Sequence, residues 1–236
     1  MRRAAADATL PRVHVTDPAV QARIGESRWT PIATVSGFLA INVTMRILVP
    51  QDGTLGVPWL IPVVEAALLV VLITGDPTQR DDRLRMRRAS LLLVGVLVVA
   101  ALWATAMLVS DLIRGVGVSN DAGRLLATGA VVWLGNNLAF GLLFWLMDGG
   151  GPIARQEGRR ELDFAFTQQM SPELAPPRWR PLFLDYLHLG FTNATAFSPT
   201  DVMPLTHRAK YAMLVQSTVA LALFGLIVAR AVNAFT

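Results

Sequence analysis

The chain has 236 residues, of which 53% are hydrophobic and only 16% are charged, whereas soluble domains carry roughly 25% charged residues. The chain contains no cysteine, which excludes disulfides and cysteine nucleophiles, and its three histidines lack the spacing of metal ligands. The net charge of +4 comes from arginines beside apolar runs, which indicates membrane topology rather than nucleic-acid binding. We expect a membrane protein without metal or cofactor.

Residues 1–30 form a polar lead-in without the apolar centre of a signal peptide. Five apolar runs follow, each close to the length of about 20 residues that a helix needs to cross a bilayer. They are Pro31–Val49, Pro58–Thr74, Ala89–Leu112, Leu125–Met147 and Tyr211–Val232. The pattern predicts an all-α, polytopic helical membrane protein in which residues 31–112 form a three-helix N-terminal bundle.

The arginines predict the orientation of these helices. Five arginines lie in residues 1–30 and five more between Arg80 and Arg88, whereas the connection between the first two runs contains none. Because cytoplasmic loops are enriched in arginine and lysine, we expect a multi-pass protein of the cell membrane, such as a bacterial inner membrane, with a cytoplasmic N-terminus. The fourth run then ends in the cytoplasm.

Two ionisable residues interrupt the first two runs. Arg46 and Glu65 fall at similar depth across the short hairpin, given a rise of about 1.5 Å per residue. We predict an ion pair that locks the hairpin, in preference to a role in an ion pathway. In the fourth run, Asn136 and Asn137 point about 100° apart, so at most one can face a given partner, and hydrogen bonding between helices is expected.

Residues 148–180 form a connector that is glycine-rich, then charged, then proline-rich. This segment is too polar to cross a membrane and too long for a simple turn. We predict an ordered surface loop with a short helix around Arg155 to Phe166, followed by extended chain through "SPELAPPRW", and the alternative is an ordinary solvated connector.

Residues 181–198 form an apolar helical segment that begins at a proline. Polar residues interrupt it at Asp185, His188, Thr192 and Asn193, and Pro199 ends it. Irregular backbone at membrane depth is tolerated only where it is buried in protein or lines a water-filled cavity. The segment therefore predicts a re-entrant, pore-like helix and loop, with a sixth membrane span as the alternative.

Five segments follow one another from residue 125. They are the apolar run Leu125–Met147, "DYLHLGFTNAT", "AFSPTD", "MPLTHRAK" and "VQSTVALALFGLIVARAV". In this order they resemble the pore module of two-transmembrane potassium channels, with its outer helix, pore helix, filter, exit segment and inner helix. Asp201 matches the last residue of the "TVGYGD" filter, Pro204 and Thr206 match the exit, and Gly225 matches the hinge of the inner helix. The pattern is closest to uncharacterised bacterial integral membrane proteins that lack this filter.

The resemblance implies that residues 125–236 form a channel-like module in a homo-oligomer, with monovalent cations as the permeant species. Its filter-like segment consists of Thr195, Ala196, Phe197, Ser198, Pro199, Thr200 and Asp201, and its pore helix carries the polar residues Asp185, His188 and Asn193. A potassium filter uses glycines that accept unusual backbone angles, and this segment has none. We therefore do not expect this chain to form the glycine-dependent potassium site of that family.

The resemblance also implies an outer helix that runs from inside to outside, which is opposite to the direction that the arginines predict for the fourth run. Three arrangements resolve the conflict. Residues 181–198 cross the membrane completely, or the loop enters from the cytoplasmic face, or an early span is misassigned.

Three functions remain open from the sequence. The first is a cation-conducting channel-like protein in the lipid bilayer. The second is a non-conducting scaffold or partner protein, in which Asp201 caps a turn. The third is a small proton-linked transporter that uses Asp185, His188 and Asp201. An enzyme is not expected, because the chain has neither a phosphate-binding loop nor a nucleophile elbow, and no nucleic-acid partner is expected.

Overall fold

The computed structural model of the protein describes residues 29–48, 60–74, 80–115, 122–156, 158, 160–177, 179–195 and 201–235. This part of the chain is mostly helical. Its helices are α1 (Trp29–Leu48), α2 (Leu60–Thr74), α3 (Arg80–Arg114), α4 (Ala122–Met147), α5 (Pro152–Gln156), α6 (Thr167–Met170), α7 (Phe183–Thr195) and α8 (His207–Phe235). Two short strands, β1 (Phe164–Phe166) and β2 (Val202–Pro204), pair antiparallel.

Three helical stretches in the described part of the chain are long and apolar enough to cross a membrane. They are Arg87–Arg114, Gly123–Arg155 and His207–Ala229. The apolar helix α2 has 15 residues and is shorter than this length. The prediction of a helical membrane protein is therefore supported in its coarse form, by three helices of membrane length.

Helix α4 lies at the centre of the bundle and packs against α3, α7 and α8. The main hydrophobic core surrounds its second half, from Leu138 to Leu146, which is buried almost without interruption. A smaller core joins its start to the ends of α3 and α8, through Leu112, Leu125 and Leu223. Helices α3 and α8 therefore both run antiparallel to α4.

Helix α7 also runs antiparallel to α4. Near its start the Tyr186 hydroxyl bonds to Asp148, one residue beyond α4, and further along Phe191 packs edge-on against Trp133, with ring centroids 5.3 Å apart. Beyond α7 the chain returns, because Asp201 lies 3.4 Å from His188 and β2 pairs with β1. The start of α7 and the strand β2 thus lie at the same end of the bundle.

We call this end the arginine-rich end, defined by Arg87, Arg155, Arg160 and Arg208. Arg155 and Arg208 bond to groups at the end of α4 and in the connector, Arg160 lies against Gly150 just beyond α4, and Arg87 lies near the start of α3. Helix α3 begins here, α4 ends here and α8 begins here. Helix α8 starts at His207 because the Thr206 hydroxyl accepts the N–H of Ala209 at 3.3 Å, as a capping residue does.

The connector differs from its prediction. The prediction of a helix around Arg155 to Phe166 is wrong, because among the described residues of that range only the end of α5 is helical and Phe164–Phe166 is a strand. The side chains of Phe164 and Phe166 are both buried in the core, and their strand pairs with β2. Tertiary contacts therefore decide the conformation of this segment. Gly149, Gly150 and Gly151 all have positive φ, between 56° and 97°, which turns the chain sharply after α4.

The connector is also less solvated than predicted, and the extended segment through "SPELAPPRW" contains a 3₁₀ turn at Pro172–Leu174. Asp148, Asp163 and both strand phenylalanines are buried. The two-stranded sheet makes the protein mostly, rather than entirely, helical. The predicted turn between the first two runs lies outside the described residues.

Helices α4 and α7 approach closely at a pair of glycines. A Cβ added to Gly190 would lie 3.1 Å from the carbonyl oxygen of Asn137, and one added to Gly141 would lie 3.2 Å from the Cα of Leu187. Both neighbours are backbone atoms, which cannot move without shifting a helix. Gly225, in the middle of α8, has no atom within 4 Å of the same position.

We predict that Gly190→Val destabilises the protein by about 1–3 kcal/mol, because the added side chain forces α7 away from α4. Gly225→Val makes the same chemical change in open space and is expected to alter stability by less than about 0.5 kcal/mol. Thermal unfolding of both variants in detergent tests this. Equal losses would show that the glycine contact does not hold α7 in place.

Candidate functional site

A buried carboxylate lies just beyond the end of α4. The side chain of Asp148 is fully buried. Its Oδ1 accepts the backbone N–H groups of Asp163 at 2.7 Å and Phe164 at 3.2 Å, and its Oδ2 accepts the hydroxyl of Tyr186 at 2.5 Å. One carboxylate therefore joins the end of α4 to the connector and to the first turn of α7.

Arg155 supplies the positive charge next to this carboxylate. Its Nη1 donates to the carbonyl oxygens of Trp145 at 2.6 Å and Asp148 at 2.9 Å, which lie at the C-terminal end of the helix. Its Nε lies 4.0 Å from Oδ2 of Asp148, and its guanidinium lies over the Tyr186 ring, 4.8 Å from the centroid. A buried carboxylate needs such partners, because an uncompensated buried charge costs several kcal/mol.

A second buried carboxylate, Asp163, joins the connector to the start of α8. Its two oxygens accept Nε and Nη2 of Arg208 at 2.5 and 2.6 Å, and Oδ1 also accepts the Thr206 hydroxyl at 2.6 Å. Its backbone carbonyl accepts the N–H of Leu205 at 2.8 Å. We call Asp148, Asp163 and these side-chain partners the carboxylate network.

Aromatic rings cover the network on the side of the core. Phe166 packs edge-on against Tyr186, and Phe144 packs edge-on against Phe164, each with ring centroids 5.3 Å apart. These rings separate the two carboxylates from the apolar interior and limit the access of water. The low polarity that results strengthens each hydrogen bond in the network.

The exposed side of α7 carries a polar stripe that continues from this network. Asp185, His188, Thr192 and Thr195 are spaced by three, four and three residues, so they lie on one face of the helix. The threonine hydroxyls donate to carbonyl oxygens of their own helix, Thr192 to His188 and Thr195 to Phe191. The free lone pairs of these hydroxyls remain available to a cation or to water.

Charged groups stand at the arginine-rich end of the stripe. Nε2 of His188 lies 3.4 Å from Oδ2 of Asp201, which holds the returning chain against α7. Oδ2 of Asp185 accepts the N–H of Leu182 at 2.6 Å.

The opposite, buried side of α7 is fixed to α8 by amide side chains. Nδ2 of Asn193 donates to the Met213 carbonyl at 2.9 Å and to Oε1 of Gln216 at 2.8 Å, and Nε2 of Gln216 donates to the Gly190 carbonyl at 2.8 Å. Asn193, predicted as a polar residue of a pore helix, thus faces a packed interface between helices.

The structure brings together only part of the predicted pore-like set. It places Asp185, His188, Thr195 and Asp201 on or beside one face of α7. Residues 196–200, which include Ala196, Phe197, Ser198, Pro199 and Thr200, lie outside the described residues. Gly225 lies in the continuous helix α8, and its role as a hinge stays a prediction.

In the N-terminal bundle, Glu65 is fully buried and its Oε1 accepts Nδ2 of Asn42 at 2.9 Å. The side chain of Arg46 lies outside the described residues, so the predicted pair with Glu65 stays a prediction. Asn136 donates to the Thr105 hydroxyl of α3 at 2.8 Å, which is the expected bond between helices. Asn137 instead donates to the Trp133 carbonyl of its own helix.

Sequence reasoning missed the carboxylate network. Its residues are far apart in the chain, with 38 positions between Asp148 and Tyr186 and 45 between Asp163 and Arg208. One signal was present, since Asp148 follows an apolar run directly and Asp163 is flanked by Leu162 and Phe164. Within the described residues, no group of three or more His, Asp or Glu side chains could hold a metal ion.

No family model matches the chain, no curated protein is significantly similar to it, and no solved structure shares its fold at a significant level.

We predict that Tyr186→Phe destabilises the protein by about 1–3 kcal/mol, because it keeps the ring but removes a hydrogen bond to the buried Asp148. Tyr211→Phe is the matched control, since the Tyr211 side chain is 67% exposed and its change is expected to stay within about 0.5 kcal/mol. Thermal unfolding in detergent gives both values. An unchanged Tyr186→Phe variant would contradict the importance of this bond.

Proposed function

We propose that the protein is a multi-pass membrane protein in which α7 is a re-entrant helix, and that copies of the chain assemble around a cation-conducting path lined by the polar stripe of α7. The arginine-rich end faces the cytoplasm on this proposal. The proposal rests on one observation. The stripe lies on the exposed side of α7, and the chain enters α7 and returns after it at the same end of the bundle.

The membrane placement is supported by the three helices of membrane length, two of which, α4 and α8, pack against α7. Two of these stretches begin at Arg87 and His207, so the arginine-rich end lies at a membrane boundary. Arginine-rich boundaries favour the cytoplasmic side. The arrangement favours entry of the loop from the cytoplasmic face over a complete sixth span.

The polar stripe supports a path for cations. If α7 lies at membrane depth, lipid cannot satisfy the exposed groups of Asp185, His188 and Thr195, since unsatisfied polar groups in hydrocarbon cost several kcal/mol each. These groups then need water or the polar groups of another subunit. Carboxylates and hydroxyl oxygens in a narrow path favour cations over anions.

The path would lie between subunits rather than inside one chain. The opposite side of α7 is closed by the bonds of Asn193 and Gln216, since Asn193 donates to Gln216 and Gln216 donates to the Gly190 carbonyl. Helix α8 exposes large apolar side chains along its length, among them Leu214, Leu221 and Phe224. This apolar face suits packing against lipid or against α8 of a second copy.

A second candidate function is a non-conducting membrane scaffold. The closed interface between α7 and α8 favours it, because a re-entrant helix held by satisfied amide bonds also serves as a structural plug. The stripe of α7 would then contact a partner protein instead of a hydrated path.

Flux of monovalent cations into liposomes distinguishes these two functions. We expect flux above that of empty vesicles, with several-fold lower flux in Asp185→Asn and Asp201→Asn, because each removes a negative charge from the path. Glu173→Gln is the matched control, since Glu173 is an exposed acid of the connector, and its flux is expected to be unchanged. Absence of flux with several cations and voltages would overturn conduction and favour the scaffold.

A further inference from the structure

The arginine-rich end holds two arginines that the buried acids of the network do not bind. Of the four arginines that define this end, Arg155 lies beside Asp148 and Arg208 bonds to Asp163. Within the described residues, neither carboxylate bonds to Arg87 or to Arg160. The network therefore does not explain why these two arginines lie here.

The positions of these arginines are set by other parts of the fold. Arg208 is held by its two bonds to Asp163, while its side chain remains 53% exposed. The side chain of Arg160 crosses Gly150, where an added Cβ would lie only 2.7 Å from its Cδ. Arg87 and Arg208 lie at the starts of the membrane-length stretches of α3 and α8, which pack against each other and run in the same direction. Three like charges are therefore held at one end of the bundle.

Arg87 has an unsatisfied donor within this cluster. Its Nε is buried and has no hydrogen-bond partner, although a buried donor without a partner destabilises the folded protein. An anion placed among Arg87, Arg160 and Arg208 would accept from this donor and would remove the repulsion between the guanidinium groups. A phosphate group is suited to this, because its oxygens accept the paired N–H groups of arginine.

The depth of the cluster identifies the source of the phosphate. The membrane-length stretches of α3 and α8 begin at Arg87 and at His207, next to Arg208. The cluster is therefore level with the boundary at which lipid headgroups lie, and basic pockets between membrane helices on the cytoplasmic side bind anionic headgroups. We propose that Arg87, Arg160 and Arg208 form a binding site for the phosphate of an anionic lipid.

This inference rests on the membrane placement proposed above but not on conduction, so it is tested by binding alone. The purified full-length protein is unfolded thermally in nanodiscs that contain either phosphatidylcholine alone or phosphatidylcholine with phosphatidylglycerol, and bound lipid is counted by native mass spectrometry. We expect phosphatidylglycerol to raise the unfolding temperature and to remain bound. Arg87→Gln and Arg160→Gln should each weaken its binding by about five-fold.

Arg114→Gln is the matched control, because Arg114 is exposed in the last turn of the same helix α3, at the opposite end of the bundle. In phosphatidylcholine alone, Arg87→Gln should be at least as stable as the unsubstituted protein, since it removes repulsion. Equal loss of phosphatidylglycerol binding in Arg87→Gln and Arg114→Gln would overturn the site, as would no loss in either Arg87→Gln or Arg160→Gln. Equal stabilisation by inorganic phosphate in phosphatidylcholine nanodiscs would overturn the assignment to a lipid.

Discussion

Two carboxylates buried at one end of a helical bundle constrain the rest of this structure. An aspartate removed from water is tolerated only when its oxygens are bonded and its charge is balanced. Asp148 meets this requirement through two backbone N–H groups, Tyr186 and Arg155, and Asp163 meets it through Arg208 and Thr206. These partners belong to the connector, to α7 and to the start of α8, so satisfying the charges also fixes where α7 and α8 begin relative to α4.

This constraint gives α7 its direction and its two different faces. With Tyr186 fixed at Asp148, the helix can only run back along α4, where Gly141 and Gly190 permit close contact. The face that meets α4 and α8 is buried and satisfied. The other face carries Asp185, His188 and both threonines, and on the membrane placement proposed above it requires water or a partner. The exposed face of α7 is therefore the candidate for function, whereas the buried amides of Asn193 and Gln216 hold α7 against α8.

The sequence alone was sufficient to predict the features that depend on a local pattern of residues. Apolar runs predicted the helices, and the polar break between residues 181 and 201 marked the segment that leaves and returns to one end of the bundle. The pairing of β1 with β2 and the burial of Asp148 and Asp163 were not predictable in this way, because they depend on partners about 40 positions away. The contact between Asn42 and Glu65 was not predictable for the same reason, since it depends on how α1 and α2 pack.

The re-entrant path of α7 from the cytoplasmic side is the claim on which the proposed function depends. Because the natural chain has no cysteine, single cysteines can be introduced before and after α7, as Glu173→Cys and Leu205→Cys, both at exposed positions. Intact cells are treated with a membrane-impermeant maleimide. A re-entrant helix predicts that neither site is labelled until the membrane is permeabilised, and that both are labelled afterwards. Labelling of only one site in intact cells would mean that α7 crosses the membrane, and labelling of both would place the arginine-rich end outside.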